Sequence, residues 1–330
     1  MQITLKSPLD MHVHLRQEDM LRQVTPFTAA QFVGAVCMPN TQPPVDSVDR
    51  YRAYVREIKA AAAPLEFEPY VPLFFRDDYT REELTAARDE LFGIKLYPAG
   101  VTTNSEDGVA ELSKIEPVLE IMQDLDLPLL VHGETHGYSP DREREFMAVY
   151  DHIARTFPKL RITMEHITTT DAVAFLDRHP NVFATVTVHH LLYTMDDMLG
   201  GLFNPFLFCK PILKSAKDRA AIQELVLSGH PKVMFGSDSA PHTEIIKRTE
   251  GMAGCFTSPV LLPLLAAFFE EHDRLDLLQA FVSDHAQKIY RVSPPQRNVI
   301  LTPEPWTVPP RYGSVVPVNA GETLRWRVEN

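Results

Sequence analysis

Eight short runs of apolar and β-branched residues recur along this chain, with helical patterns between most of them, and that alternation restricts the fold more than any other feature. The runs lie around residues 3–11, 34–38, 68–74, 93–97, 128–131, 161–165, 182–188 and 232–236. Strands joined through a helix run parallel, because the chain must return to the starting edge before the next strand begins. Eight such units close on themselves as a (β/α)8 TIM barrel, an α/β fold in which both faces of every strand are covered. An open doubly wound sheet is the rival, but no G-x-G-x-x-G turn follows the first run. The 330 residues suit one barrel with insertions, and 45% apolar residues are enough to fill its core.

Local signals place several helices. Thr80-Arg-Glu-Glu83 and Ser113-Lys-Ile-Glu116 read as capping boxes, in which the hydroxyl accepts a free backbone N–H and the glutamate reaches back to another. Beyond the second, Ile115, Val118, Leu119, Met122 and Leu125 keep helical spacing and predict one buried face. Asp46 or Ser47 can cap a helix that runs through Ala62 and stops before Pro64. The longest apolar stretch, residues 260–269, is too short to span a bilayer, and a buried helix is expected there. Residues 294–317 are rich in proline and read as an extended wrap over the barrel. The expected organisation is one domain over residues 1–330, with a core of about 1–293 and a C-terminal extension of about 294–330.

A net charge of −12 argues against a nucleic-acid surface, which needs a basic stripe. A small anionic substrate stays open, because one local arginine overrides a diffuse field. No membrane association is expected. Cys37, Cys209 and Cys255 are far apart and form no C-x-x-C pair. Their spacing suggests neither a disulfide framework nor a cysteine zinc site, and it fits a reducing, cytoplasmic compartment. The chain enters its first run without a charged-then-apolar leader, in line with that expectation.

In a parallel barrel the C-terminal strand ends form the rim of the active site. The first run ends Asp10-Met-His12-Val-His14, the fifth Val131-His132-Gly-Glu134, the sixth Glu165-His166 and the eighth Gly236-Ser-Asp238, while the fourth carries Lys95. Residues i and i+2 of a strand face the same way, so His12 and His14 can reach one ion. A lone His-x-His pair is a weak sign, compatible with two core or solvated histidines; the convergence of five strands is the specific one. Imidazole and carboxylate suit zinc. Lys95 is the odd member, because an ammonium repels a cation. It would ligate only as a neutral amine or as the carbamate formed with CO2. On composition alone, a lysine paired with Asp238 inside the barrel is the simpler reading.

Six segments spanning about residues 8–257 carry a family resemblance. They are Asp10-Met-His-Val-His-Leu-Arg16, Met38-Pro-Asn40-Thr, Lys95-Leu-Tyr-Pro-Ala-Gly-Val-Thr-Thr-Asn104, Val131-His-Gly-Glu134, Met164-Glu-His-Ile-Thr168 and Gly236-Ser-Asp-Ser-Ala-Pro-His242. Together they resemble the dihydroorotases, in their bacterial, single-function, homodimeric form within the amidohydrolase superfamily. The resemblance implies a reversible, zinc-dependent hydrolysis of (S)-dihydroorotate to N-carbamoyl-L-aspartate, the third step of de novo pyrimidine synthesis. It implies that His12, His14 and Asp238 bind one zinc ion and that His132 and His166 bind a second. Lys95, as N6-carboxylysine, then bridges the two along with a hydroxide, and Asp238 is the catalytic acid–base. Arg16, Asn40 and His242 would hold the substrate carboxylate. Thr102 and Thr103 would belong to a loop that closes over the substrate, and backbone near Lys210 and Ala253-Gly254 would line the pyrimidine ring.

Residue chemistry agrees with these roles without requiring them. Arg16 follows His14 by two and projects to the same face if the strand persists that far, where a guanidinium can grip a carboxylate with two parallel hydrogen bonds. Asn40 also reads as a plain turn residue, and His242 in Ala-Pro-His as a turn cap. Residues 98–108 contain two glycines, two threonines, Asn and Ser, a composition that suits a lid and an ordinary flexible loop alike. The chain departs from many relatives at Lys210, where they carry an apolar residue. His189 and His190 are expected at the end of the seventh strand, and the resemblance makes neither a ligand. His152, His179, His230 and His272 are expected in solvent. Two rivals stand beside this reading. Other cyclic amidases, such as hydantoinase, dihydropyrimidinase or allantoinase, share the chemistry, but the Arg16, Asn40 and His242 set favours a ring that bears a carboxylate. A non-catalytic barrel would have lost ligands.

Overall fold

The computed structural model describes residues 2–106, 108–109 and 114–329. Eight parallel strands make the barrel: β1 (Leu9–Val13), β2 (Gly34–Cys37), β3 (Glu68–Tyr70, resumed as Leu73–Phe74), β4 (Ile94–Leu96), β5 (Leu129–Val131), β6 (Ile162–Met164), β7 (Val182–Val186) and β8 (Val233–Phe235). The interruption in β3 falls at Val71-Pro72, where proline removes a ladder donor. The ring closes just beyond β8 and β1: Asp238 N–H donates to His12 O at 2.7 Å and His14 N–H to Ser239 O at 3.0 Å.

The first run of the sequence divides in two. Ile3–Lys6 is not a barrel strand; it pairs antiparallel with Asn298–Thr302, which pairs in turn with Arg327–Val328. Ser7, at φ 44°, redirects the chain into β1. The tail is therefore more than an extended wrap, for it also carries a two-residue pairing of Trp306–Thr307 with Thr323–Leu324. Strands this short between prolines have no alternation to read in sequence.

Helices begin where the side chains can cap them. Thr80 and Glu83 form the expected reciprocal box on Arg81–Ala87, and Ser47 accepts from Arg50 N–H at the start of Val48–Ala62. The helix Glu116–Asp124 has Ile115 at its cap position and buries Val118, Leu119 and Met122, while Ser113 lies outside the described residues. The apolar stretch forms the buried helix Leu261–Glu271, with Pro263 in the first turn, where its missing N–H costs nothing.

Alternation along the strands separates two apolar clusters. Ile94, Leu96, Leu129, Val131, Ile162 and Met164 pack outward with the helices. Leu9, Met11, Val36, Leu130 and Met234 form a smaller cluster with Ala286, Ile289 and Tyr290 of the last helix, His285–Tyr290. Lys95, between Ile94 and Leu96, must therefore point into the barrel.

Candidate active site

At the C-terminal strand ends lies a small, largely filled cavity. His12, His14, His132, His166 and Asp238 line its floor, and Arg16, Asn40, Thr102, Thr103, Lys210, Ala253 and Gly254 its walls. Lys95 is fully buried, and His242 stands behind Arg16. The backbone is shaped for this convergence. A Cβ on Gly236 would lie 2.9 Å from His12 Cβ and 3.0 Å from Thr185 Cβ, so only glycine lets the chain leaving β8 pass close enough for Asp238 to reach the histidines. Arg16, His166 and Asp238 adopt φ values of 62°, 43° and 45°, the left-handed region that non-glycine residues seldom enter.

Partners around the cage fix which nitrogen of His12, His14 and His132 faces inward. His12 Nδ1 meets the Glu165 carboxylate, and His132 Nε2 lies 2.7 Å from Glu134 Oε2. His14 Nδ1–H donates to Asn40 Oδ1 at 2.9 Å, while Asn40 Nδ2 donates to Thr103 O at 2.9 Å, which settles the amide orientation. The inward atoms are then lone pairs: Nε2 of His12 and His14, and Nδ1 of His132. His12 Nε2 lies 3.4 Å from His14 Nε2, and Asp238 Oδ1 lies 3.3 Å and 3.1 Å from the two. His132 Nδ1 is 3.0 Å from His166 Nε2.

Acceptors packed face to face without protons repel unless a cation sits between them. Burial holds His14 neutral by lowering its pKa to about 4, and it also lowers His132 and His166. Burial alone would raise Asp238, but the adjoining imidazoles of His12, His14 and His166 outweigh it and hold the carboxyl well below its usual range. A tetrahedral ion bound at about 2.0–2.1 Å holds its ligands about 3.3 Å apart. The separations among His12, His14 and Asp238 match that edge, so this donor set fits a metal ion.

Lys95 differs from the simplest sequence reading. It is not paired with Asp238: its Nζ is buried with no hydrogen-bond partner, 5.1 Å from the centre of the Tyr97 ring. Burial lowers its pKa to about 8, against the opposing pull of Glu165 and Asp238.

The walls rest on longer reaches. β1 ends at Val13, so strand alternation does not carry Arg16 to the cavity; its left-handed turn does. Arg16 Nε donates to Pro241 O at 3.1 Å and Nη2 lies 3.0 Å from His242 Nε2. Asn104 Nδ2 donates to Asn40 O at 3.1 Å, and Lys210 Nζ to Val101 O at 2.7 Å. His189 and His190 do not end a strand but lie in the helix Val188–Leu192, outside the cavity. His152 and His272 are exposed, whereas His179 and His230 are only partly so and pair with Asp151 and Asp177.

Sequence reading assigned no role to Glu165, Glu134, Asp10 or Tyr97. Asp10 Oδ1 accepts from Ser237 N–H at 2.7 Å and His12 N–H at 3.2 Å, and Tyr97 lines the cavity. A signal existed for Glu134, which follows His132 by two; Glu165 reaches a histidine 153 residues away, which no local pattern shows.

Residues 9–292 match the amidohydrolase family. The chain belongs to that family, and its barrel with a polar cage at the strand ends is that of a metal-dependent cyclic amide hydrolase. It is 41% identical over 336 residues to a dihydroorotase of Helicobacter hepaticus, covering 99% of this chain and 98% of that one. The crystal structure of dihydroorotase from Campylobacter jejuni is similar at a TM-score of 0.96 and 45% identity, covering 100% of this chain and 98% of that one. That of dihydroorotase from Saccharomyces cerevisiae, in complex with 5-fluoroorotic acid, is similar at a TM-score of 0.92 and 33% identity, covering 99% and 98%. Within the family, this chain stands among the dihydroorotases.

Proposed function

We propose that the chain catalyses the reversible hydrolysis of (S)-dihydroorotate to N-carbamoyl-L-aspartate, in pyrimidine biosynthesis, with two zinc ions in its cage. His12, His14 and Asp238 would hold one ion and His132 with His166 the other, with Lys95 as its CO2-derived carbamate between them. The unpartnered, inward-facing Nζ of Lys95 supports that modification. When bound, the zinc pair supplies a water acidic near neutral pH and a Lewis acid for the amide carbonyl.

The observation that carries the reading is one cavity with the cage on its floor and Arg16 in its wall. A ring carboxylate would dock against Arg16, Asn40 and His242, which aims the cyclic amide at the floor. An Asp238 oxygen would take the proton of the attacking water and deliver it to the departing ring nitrogen; in the synthetic direction the same group acts as the acid. Thr102 and Thr103 would shield the site from water, and backbone at Lys210 and Ala253-Gly254 would lie along the ring. A homodimer in the cytoplasm completes the proposal, supported by the resemblance and by three buried, unpaired cysteines.

Parallel assays of the zinc-loaded protein with dihydroorotate, hydantoin and allantoin test the substrate. Turnover of dihydroorotate alone is expected, and comparable turnover of hydantoin would move the chain to another cyclic amidase activity. Elemental analysis with native mass spectrometry should show two zinc ions and the mass of one added CO2 per chain.

A further inference from the structure

Behind the cavity wall lies a second group of metal-binding side chains that the reaction does not use. His189, Cys209 and Cys255 are at most 1% exposed, and their donor atoms lie within 4.8 Å of one another. They come from three segments: the helix Val188–Leu192 that follows β7, the residue before Lys210, and the bridge that pairs Cys255 with Ser239. Both ring nitrogens of His189 are buried without a hydrogen-bond partner. A buried imidazole with neither nitrogen satisfied is rare in a folded protein, and one lone pair given to a cation is a direct remedy.

We propose that His189, Cys209 and Cys255 form a third metal site, separate from the histidine cage, for one soft d10 cation, Zn(II) or Cu(I). Two sulfurs and an imidazole are softer donors than the cage offers, so the two sites select differently. Binding displaces one proton from each thiol to solvent, and His189 binds as the neutral imidazole. Lys247 Nζ holds the backbone beside both cysteines, donating to Phe208 O at 3.0 Å, Met252 O at 2.9 Å and Gly254 O at 2.8 Å, while the contact with Cys255 and burial push the Cys209 thiol up, so the cation itself must displace its proton. Three donors suit trigonal Cu(I), whereas structural Zn(II) takes four. The nearest fourth donor, His190, already has Nδ1 2.8 Å from Thr187 Oγ1 and Nε2 3.0 Å from Pro211 O. Cys209 adjoins Lys210 and Cys255 adjoins Gly254, both of the cavity wall. The ion therefore fastens that wall to the segment leaving β7.

Cobalt(II) titration of the full chain, kept reduced, reads this site apart from the cage, because only thiolate ligands produce a sulfur-to-cobalt charge-transfer band. The wild-type protein should show the band, Cys209→Ser and Cys255→Ser should lose it, and His189→Gln should retain both thiols but bind about tenfold more weakly or worse. Near-ultraviolet circular dichroism confirms that each variant is folded. Equilibration with zinc in one arm and Cu(I) in the other, followed by elemental analysis, should leave one more equivalent on the wild type than on Cys209→Ser in the arm that supplies the preferred ion. Equal metal in both arms with no band in the wild type overturns the proposal, as does a Cys209–Cys255 disulfide in the reduced preparation.

Discussion

The floor and the walls of the cavity are held by different means. On the floor, donors extend from strand ends, and most are oriented by a second buried side chain: Glu165 for His12, Asn40 for His14 and Glu134 for His132. In the walls, side chains reach main-chain carbonyls: Arg16 holds Pro241 O, Asn40 holds Thr103 O and Lys210 holds Val101 O. Changing His12, His14 or His132 leaves a buried polar partner unmet, whereas changing Arg16 or Lys210, each only partly buried, frees a carbonyl that water can reach. The difference teaches that floor substitutions should act on metal content and chemistry, and wall substitutions on binding.

The sharpest test is Lys95→Ala. It removes a buried amine that faces the cage and, among the described residues, has no hydrogen-bond partner. Activity should be abolished and partly restored by a short carboxylic acid that takes the place of the proposed carbamate; full activity without rescue would remove Lys95 from the mechanism. Next in size is Glu165→Gln, which keeps the shape beside His12 and removes the charge. Metal affinity should fall about 10- to 100-fold, with activity recovered in excess zinc. Loss of kcat that zinc does not restore would show that Glu165 acts on the reaction and not through His12.

A smaller effect tests the wall. Arg16→Met should raise KM for dihydroorotate about tenfold or more, the scale of one lost charge-assisted hydrogen-bond pair, with zinc content unchanged. If metal is lost along with activity, floor and wall are one unit and the comparison fails.

How far sequence reached follows the same division. The barrel was legible because each strand is a short apolar run, and the floor because each proposed ligand sits at or just beyond a strand end, where position alone predicts direction. The first run misled because residues 3–6 and 9–13 read as one apolar segment, although Ser7 turns between them and the first part pairs with residues 298–302. Arg16 reached the cavity by a left-handed turn that alternation does not describe. Glu165 and the cluster of His189, Cys209 and Cys255 were illegible because their meeting depends on ring closure, which brings together residues distant in the chain. The cysteine spacing that argued against a thiolate site was a statement about local loops only.

The smallest expected effect belongs to Lys210. Its Nζ donates to Val101 O at 2.7 Å and so ties the segment beside Cys209 to the loop that carries Thr102 and Thr103. The bond is half-buried, and its loss is worth about 0.5–1.5 kcal/mol, or about 2- to 12-fold in an equilibrium. Lys210→Leu should therefore raise KM by that factor, leave metal content unchanged and speed hydrogen exchange at the amides of residues 100–105. Two of those amides, Gly100 N–H and Thr102 N–H, bond only within the loop, to Ser105 O at 2.7 Å and Ser105 Oγ at 3.0 Å, so they report the loop's own opening. Unchanged exchange with a raised KM would place the effect of Lys210 on the ring of the substrate and not on the loop. A drop in zinc content would show that wall and floor are mechanically joined across the cavity.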